Sequence, residues 1–137
     1  MKVCFVIPSY TFFLSHRLSL IQELAKHFNV TVLTDLNSDN FEAESQSAQS
    51  FELKHLSKRK SLNPLSAYKH IRALNSSIKE INSQNIFFVT LEASLFGAIL
   101  TRKIKRLKVN FIISGIGPFY FSKIFKYKLY KKIVKLI

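Results

Sequence analysis

Apolar positions in this chain follow two alternating rhythms. Short continuous runs are separated by stretches in which apolar residues return every three or four positions. Val3, Cys4, Phe5, Val6 and Ile7 form the first run, which Pro8 ends. A run with no polar position predicts a strand buried on both faces of a parallel sheet. Leu14, Leu18, Ile21, Ala25 and Phe28 then recur at helical spacing, predicting an amphipathic helix over 14–28, with 9–13 as the loop before it. Val30–Thr34 reads as the second strand and Phe51–Leu56 as the third. The polar stretch between them, Asp35–Ser50, has no clear period and reads as a long loop.

Asn63 before Pro64 marks a helix start, because Asn caps the first turn and Pro fits it. Leu65, Tyr68, Ile71, Leu74 or Asn75, Ile78 and Ile81 give that helix its apolar stripe, ending near Ser83. Ile86–Val89 is a fourth strand and Ala93–Leu107 a helix, in which Gly97 would allow close packing on the sheet. Val109–Ser114 is the fifth strand. Gly115, Gly117 and Pro118 then make a sharp turn. The predicted fold is α/β: a single Rossmann-like domain over 1–118, a parallel five-stranded sheet with helices on both faces. A basic amphipathic helix over 119–137 follows, with Phe121, Phe125, Leu129 and Ile133 on one side.

Charge changes the picture. Twenty-one Lys and Arg against eight Asp and Glu give a net charge of +13 over 137 residues. Glu92 is the last acidic residue, and from Arg102 onward every charge is positive. Such a field attracts anionic lipid, nucleic acid or phosphorylated substrates. Lys123, Lys126, Lys131, Lys132 and Lys135 are the expected membrane-surface contacts. Lysines interleave with Phe119, Tyr120, Phe121, Phe125 and Tyr127 as in stacking platforms. No nucleic-acid recognition motif accompanies them, so no nucleic-acid partner is expected. No run is long and apolar enough to span a bilayer, and a peripheral place at the inner face of the cell membrane, on the cytoplasmic side, is expected.

The chemistry in the sequence is sparse. Cys4 is the only cysteine and lies in an apolar run, which predicts a buried thiol. His16, His27, His55 and His70 are scattered without ligand spacing, so no metal site is expected. No phosphate-cradling glycine loop is present, no cofactor is expected, and no residue is singled out as catalytic. An open α/β sheet binds ligands at the carboxyl ends of its strands. That places Tyr10, His16 and Arg17 after the first strand, Thr90 and Glu92 after the fourth, and Ser114, Gly115 and Gly117 after the fifth. A helix N-terminus at this edge would favour a phosphate or a sugar hydroxyl.

Three stretches together carry a resemblance. They are Phe12-Phe13-Leu14-Ser15-His16-Arg17-Leu18; Leu56 to Leu65, with Lys58-Arg59-Lys60 and Asn63-Pro64; and Val89 to Ala98 followed by Ile113-Ser114-Gly115-Ile116-Gly117. In order and spacing the chain resembles the N-terminal domain of GT-B type bacterial glycosyltransferases, the family 4-like group that builds capsule, O-antigen and related lipid-linked glycans. The resemblance implies two Rossmann-like domains facing across a cleft. The first receives the acceptor, and the second holds the nucleotide-sugar donor. The chain is then expected to be the acceptor-side half, truncated or split from its partner, and inactive without a donor-binding half. Its partners would be a nucleotide-sugar and a lipid-linked or glycan acceptor. Tyr10, His16, Arg17, Thr90, Glu92, Ser114, Gly115 and Gly117 would line the acceptor side.

One departure from the family pattern stands out. The family commonly has a His-rich stretch ending in Thr-x-Lys at the fourth strand. Here Phe87 and Phe88 replace histidines, and Glu92 replaces the lysine. A carboxylate there repels the phosphate that a lysine would attract. The alternative expectation is therefore a non-catalytic membrane-surface or scaffold module that has kept the fold.

Overall fold

The computed structural model describes residues 1–36, 50–57, 63–101 and 107–113. Five strands form one sheet: β1 (Lys2–Val6), β2 (Asn29–Thr34), β3 (Glu52–His55), β4 (Asn85–Val89) and β5 (Lys108–Ile112). Their spatial order is β3-β2-β1-β4-β5, and every neighbouring pair is parallel. The parallel five-stranded α/β arrangement is the expected one; the expected basic helix over 119–137 and most of the expected loop over 35–50 lie outside the described residues.

Four helices are described: α1 (Tyr10–His16), α2 (Leu18–Ala25), α3 (Pro64–Ile81) and α4 (Leu91–Thr101). The alternation within each strand divides the core into two layers. Val3, Phe5 and Ile7 pack with Val30, Val32, Phe13 and Ile21, so α1 and α2 cover one face. Cys4 and Val6 pack with Leu33, Ile86, Phe88, Leu74, Ile78 and Phe96, so α3 and α4 cover the other. The unbroken apolar run of β1 follows from this: it is the central strand and has no solvent side.

Several element boundaries differ from those the pattern predicts. The single helix over 14–28 is two helices meeting at Arg17 (φ −129°, ψ −15°). No proline or glycine marks the break. Ser15 Oγ donates to the carbonyls of Thr11 (2.9 Å) and Phe12 (3.4 Å), and such back-bonding by serine bends helices. The expected loop over 9–13 is already helix, because Ser9 Oγ caps α1 by accepting from the Phe12 amide at 3.3 Å. That start makes Tyr10 and Phe13 the anchors of α1 and leaves Leu14 at 41% exposure.

In α3 the cap is as expected, with Asn63 Oδ1 accepting from the Ser66 amide at 2.7 Å. The first two positions of its predicted stripe, Leu65 and Tyr68, are nonetheless exposed at 61% and 60%. The helix ends on Asn82 in the left-handed region, φ 50°, a conformation that asparagine tolerates better than most residues. The last described helix begins at Leu91, two residues before the predicted start, and is described to Thr101; 102–106 lie outside the described residues.

Gly97 does what its position in α4 suggested. A Cβ built there would stand 2.5 Å from Phe88 Cδ2 and 2.7 Å from its Cγ, so only glycine lets α4 lie on that ring.

Candidate functional site

In the strand order 3-2-1-4-5 the chain leaves β1 in opposite directions, toward β2 on one side and β4 on the other. The switch point, where open α/β sheets bind ligands, is therefore the crevice outside the carboxyl ends of β1 and β4. A cavity of about 200 Å³ lies at this edge. Pro8 and Ser9 reach it from the tip of β1, and Asp35 from the tip of β2. Leu56 and Ser57 come from the tip of β3, His70 from α3, and Glu92 from the first turn of α4. A wider hollow of about 550 Å³ opens at the opposite end of the sheet, beside Lys26, His27 and Glu52. It is shallow and sits at the amino ends of β2 and β3, away from the switch point. The smaller cavity is the candidate site.

Local chemistry fixes the walls of this cavity. The Tyr10 amide donates to Asp35 Oδ1 at 2.5 Å, across 25 residues of sequence. One carboxylate thus ties the tip of β2 to the first turn of α1 and satisfies an amide that the helix itself cannot. The Phe12 amide is taken by Ser9 Oγ and the Phe13 amide by the Ser9 carbonyl at 2.9 Å. His70 Nδ1 lies 3.0 Å from the Ser57 carbonyl. A carbonyl only accepts, so Nδ1 carries the proton, and in the neutral ring Nε2 is the acceptor. The His70 ring rests 5.0 Å from the Phe96 ring, which holds its orientation from below.

The turn into α4 is strained. Thr90 has φ 95°, a value that a β-branched residue rarely adopts. Surrounding bonds hold it there. Its amide donates to the Ile112 carbonyl at 3.0 Å, and its carbonyl accepts from Ser94 N (3.0 Å) and Ser94 Oγ (2.7 Å). Its Oγ1 accepts from the Ala93 amide at 3.4 Å. This compact turn delivers Glu92 to the cavity.

The predicted site residues separate into groups. Of Tyr10, His16, Arg17, Thr90 and Glu92, only Glu92 lines the cavity. Thr90 sets the turn that brings it there. Tyr10 contributes its amide, while its side chain is buried among the core residues beneath α1. His16 and Arg17 stand at the far end of α1, roughly 9 Å along the helix from Tyr10 at 1.5 Å per residue. They form a local cluster around Phe12. The His16 ring stacks on Phe12 at 4.8 Å, and the Arg17 guanidinium sits 5.8 Å from the same ring centroid. Ser114, Gly115, Gly117 and the lysines from Lys123 to Lys135 lie outside the described residues.

Phe87 and Phe88 belong to the core and not to the cavity. Phe87 stacks on Phe5 at 4.9 Å, and Phe88 is buried against Gly97. Asp35, Ser57 and His70 were missed by the sequence reading. Position alone could have flagged Asp35, since an acidic residue at the tip of the second strand is where such sheets often bind a sugar diol.

The sequence profile of the glycosyl transferase 4-like family matches residues 2–137, nearly the whole chain. The chain belongs to the glycosyl transferase 4-like family. No curated protein matches it. Membership gives the cavity a context, since a glycosyl transferase acts on a sugar donor and an acceptor, and open α/β sheets bind ligands at this edge. Among the described residues no three His, Cys, Asp or Glu side chains gather where a metal could sit. None of the described helices is long and apolar enough to cross a membrane.

Proposed function

We propose that this glycosyl transferase 4-like chain forms the acceptor wall of a two-domain sugar transferase, with residues 1–118 as the acceptor-side domain. The observation that carries the reading is the cavity at the switch point, where residues from three strand tips converge with His70 of α3 and Glu92 of α4. One sheet offers one wall. Sugar transfer needs donor and acceptor held together and shielded from water, and a cleft between two walls does this. The second wall, with the nucleotide-sugar, comes from another polypeptide segment, whether continuous with this one or separate. Without it the acceptor-side domain has little or no turnover.

The acceptor in this reading is a lipid-linked or glycan sugar at the inner face of the membrane. Lys123, Lys126, Lys131, Lys132 and Lys135 are the surface contacts, each contributing up to about 1 kcal/mol near anionic lipid. What supports this part is the uniformly positive charge beyond Glu92. The test mixes the purified chain with a nucleotide-sugar, a lipid-linked acceptor and candidate donor-binding domains. Turnover that needs both proteins is the expected result. Absence of turnover with every donor-binding domain favours the scaffold alternative. Sedimentation with anionic vesicles, lost at high salt, tests the membrane contact separately.

A further inference from the structure

We infer that the outward sides of α3 and α4 form a docking surface for an anionic lipid bilayer. Leu65, Tyr68 and Ile99 enter the head-group region, and Lys69, Arg72 and Lys79 meet its charge. The inference rests on the membrane setting of the proposed function and concerns residues other than the lysines from Lys123 to Lys135.

The helix α3 is apolar on two sides. Leu74, Ile78 and Ile81 are buried against the sheet. Leu65 and Tyr68 lie on the far side of the helix, each about three-fifths exposed. At roughly 100° per residue, Leu65, Tyr68, Lys69, Arg72, Ser76 and Lys79 share one exposed stripe. The stripe holds no acidic residue. Glu80 stands beside it and is paired with Lys54 at 2.8 Å. The neighbouring α4 repeats the pattern. Leu91, Leu95 and Ile99 recur every four residues on its outer side, the first two half-buried and Ile99 exposed. A helix apolar on its outer side as well as its inner one is built to meet something other than water.

The mixture of residues selects a lipid surface. Lysine is depleted from the cores of protein interfaces. Beside a bilayer it is well placed, because its stem lies along apolar surface while the ammonium reaches a phosphate. Tyrosine suits the same boundary, with an apolar ring and a polar tip. Leucine, tyrosine and cations on one exposed stripe are the composition of a helix lying in the plane of a membrane surface. The charge of the chain agrees. In sequence, Lys58, Arg59 and Lys60 precede α3, and Arg102, Lys103, Lys105 and Arg106 follow Thr101. An anionic leaflet complements such charge. Position agrees too. His70 from the second turn of α3 and Glu92 from the first turn of α4 line the cavity. A bilayer against these helices brings the cavity to the head groups, where a lipid-linked acceptor carries its sugar.

The chain has no tryptophan, so a single introduced one reports its own surroundings. The test compares Tyr68→Trp with Leu20→Trp, an exposed position on α2 over the opposite face of the sheet. The probes are vesicles of phosphatidylglycerol and phosphatidylcholine, with and without brominated acyl chains. The expected result is a blue shift and bromine quenching for Tyr68→Trp, and neither for Leu20→Trp. In sedimentation with the same vesicles, Leu65→Gln/Tyr68→Gln should bind about tenfold more weakly. Lys69→Gln/Arg72→Gln should bind about thirtyfold more weakly, at about 1 kcal/mol per charge.

Equal quenching at the two positions, or quenching at neither, overturns the inference. So does equal binding to vesicles of phosphatidylcholine alone, or tighter binding to single-stranded RNA at the same salt. A dimer that Leu65→Gln/Tyr68→Gln dissolves also overturns it, since the surface would then join two copies. Vesicle binding through α3 without turnover alongside any donor-binding domain refutes the proposed function alone. Turnover with vesicle binding untouched by the α3 variants refutes the inference alone.

Discussion

Replacing Thr90 with glycine should make the protein more stable and its cavity less well formed. Thr90 sits at φ 95°, and a non-glycine residue held in such a region costs about 1–3 kcal/mol. Glycine removes that cost. Against it stand about 0.5–1 kcal/mol of extra backbone entropy in the unfolded chain. A few tenths more are lost with the weak cap in which Oγ1 accepts from the Ala93 amide. The net expectation is a gain of about 1 kcal/mol. Alanine is the informative control. Thr90→Ala keeps the strained Cβ and loses the same weak cap, so it should fall about 0.3 kcal/mol below the wild type. Urea denaturation with matched m-values measures both variants, and the predicted gap between them is about 1.3 kcal/mol. Because Thr90 sets the turn that delivers Glu92, the glycine variant should also show faster hydrogen exchange in the first turn of α4 despite its higher stability. An alanine variant as stable as the glycine variant would refute the argument, since it would mean that the φ 95° conformation carries no cost.

Other perturbations test the core and the caps. Gly97→Ala should destabilise by about 1–2 kcal/mol, since overpacking against Phe88 exceeds the gain in helix propensity; a G97A/F88L double variant should lose less than the sum of the single changes in a denaturation cycle. Burial, with a smaller contribution from Glu52, pushes the Cys4 thiol from 9.0 up to about 12. A raised folded pKa means that the native state keeps its proton longer, so this contribution is intact below pH 9 and lost as pH rises toward 12. The loss amounts to about 4 kcal/mol, at 1.36 kcal/mol per unit. Urea midpoints followed from pH 8 to pH 11 should therefore fall less steeply for Cys4→Ala than for the wild type, and equal slopes would contradict the assignment. Asn63→Ala should cost about 1 kcal/mol, read by the same denaturation assay, through loss of the cap on the Ser66 amide.

The strands were legible because burial on both faces leaves an unmistakable mark. No polar residue interrupts Val3–Ile7, and the central strand of a doubly covered sheet cannot accept one. Asn63-Pro64 and Gly97 were legible for a related reason, since each answers a single local constraint, a cap or a close approach. The helices were less so. Periodicity placed Leu14, Leu65 and Tyr68 on buried faces, yet all three are exposed. The wheel says which residues share a side, but the cap decides where the wheel begins. Ser9 starts α1 early, and Ser15 bends it, so the anchors become Tyr10 and Phe13.

The site was harder to read because proximity within it is set by the sheet and not by the sequence. Tyr10 and Asp35 meet because parallel pairing aligns the tips of β1 and β2, with Val6 opposite Leu33. Neither residue announces the other. His70 reaches the same edge from α3, a helix whose start can be read but whose rotation about its axis cannot. His16 and Arg17 looked like ligands because they follow the first strand closely in sequence. A helix carries its residues back along the sheet, however, so by the end of α1 the chain has left the edge and these two side chains pack on Phe12. The residues that directly follow a strand tip, by contrast, stay at the crevice. Glu92 qualifies because it lies in the first turn of α4, two residues after the strained Thr90. The substitution that seemed to weaken a phosphate site in the sequence thus falls on the one predicted residue, among those described, that lines the cavity.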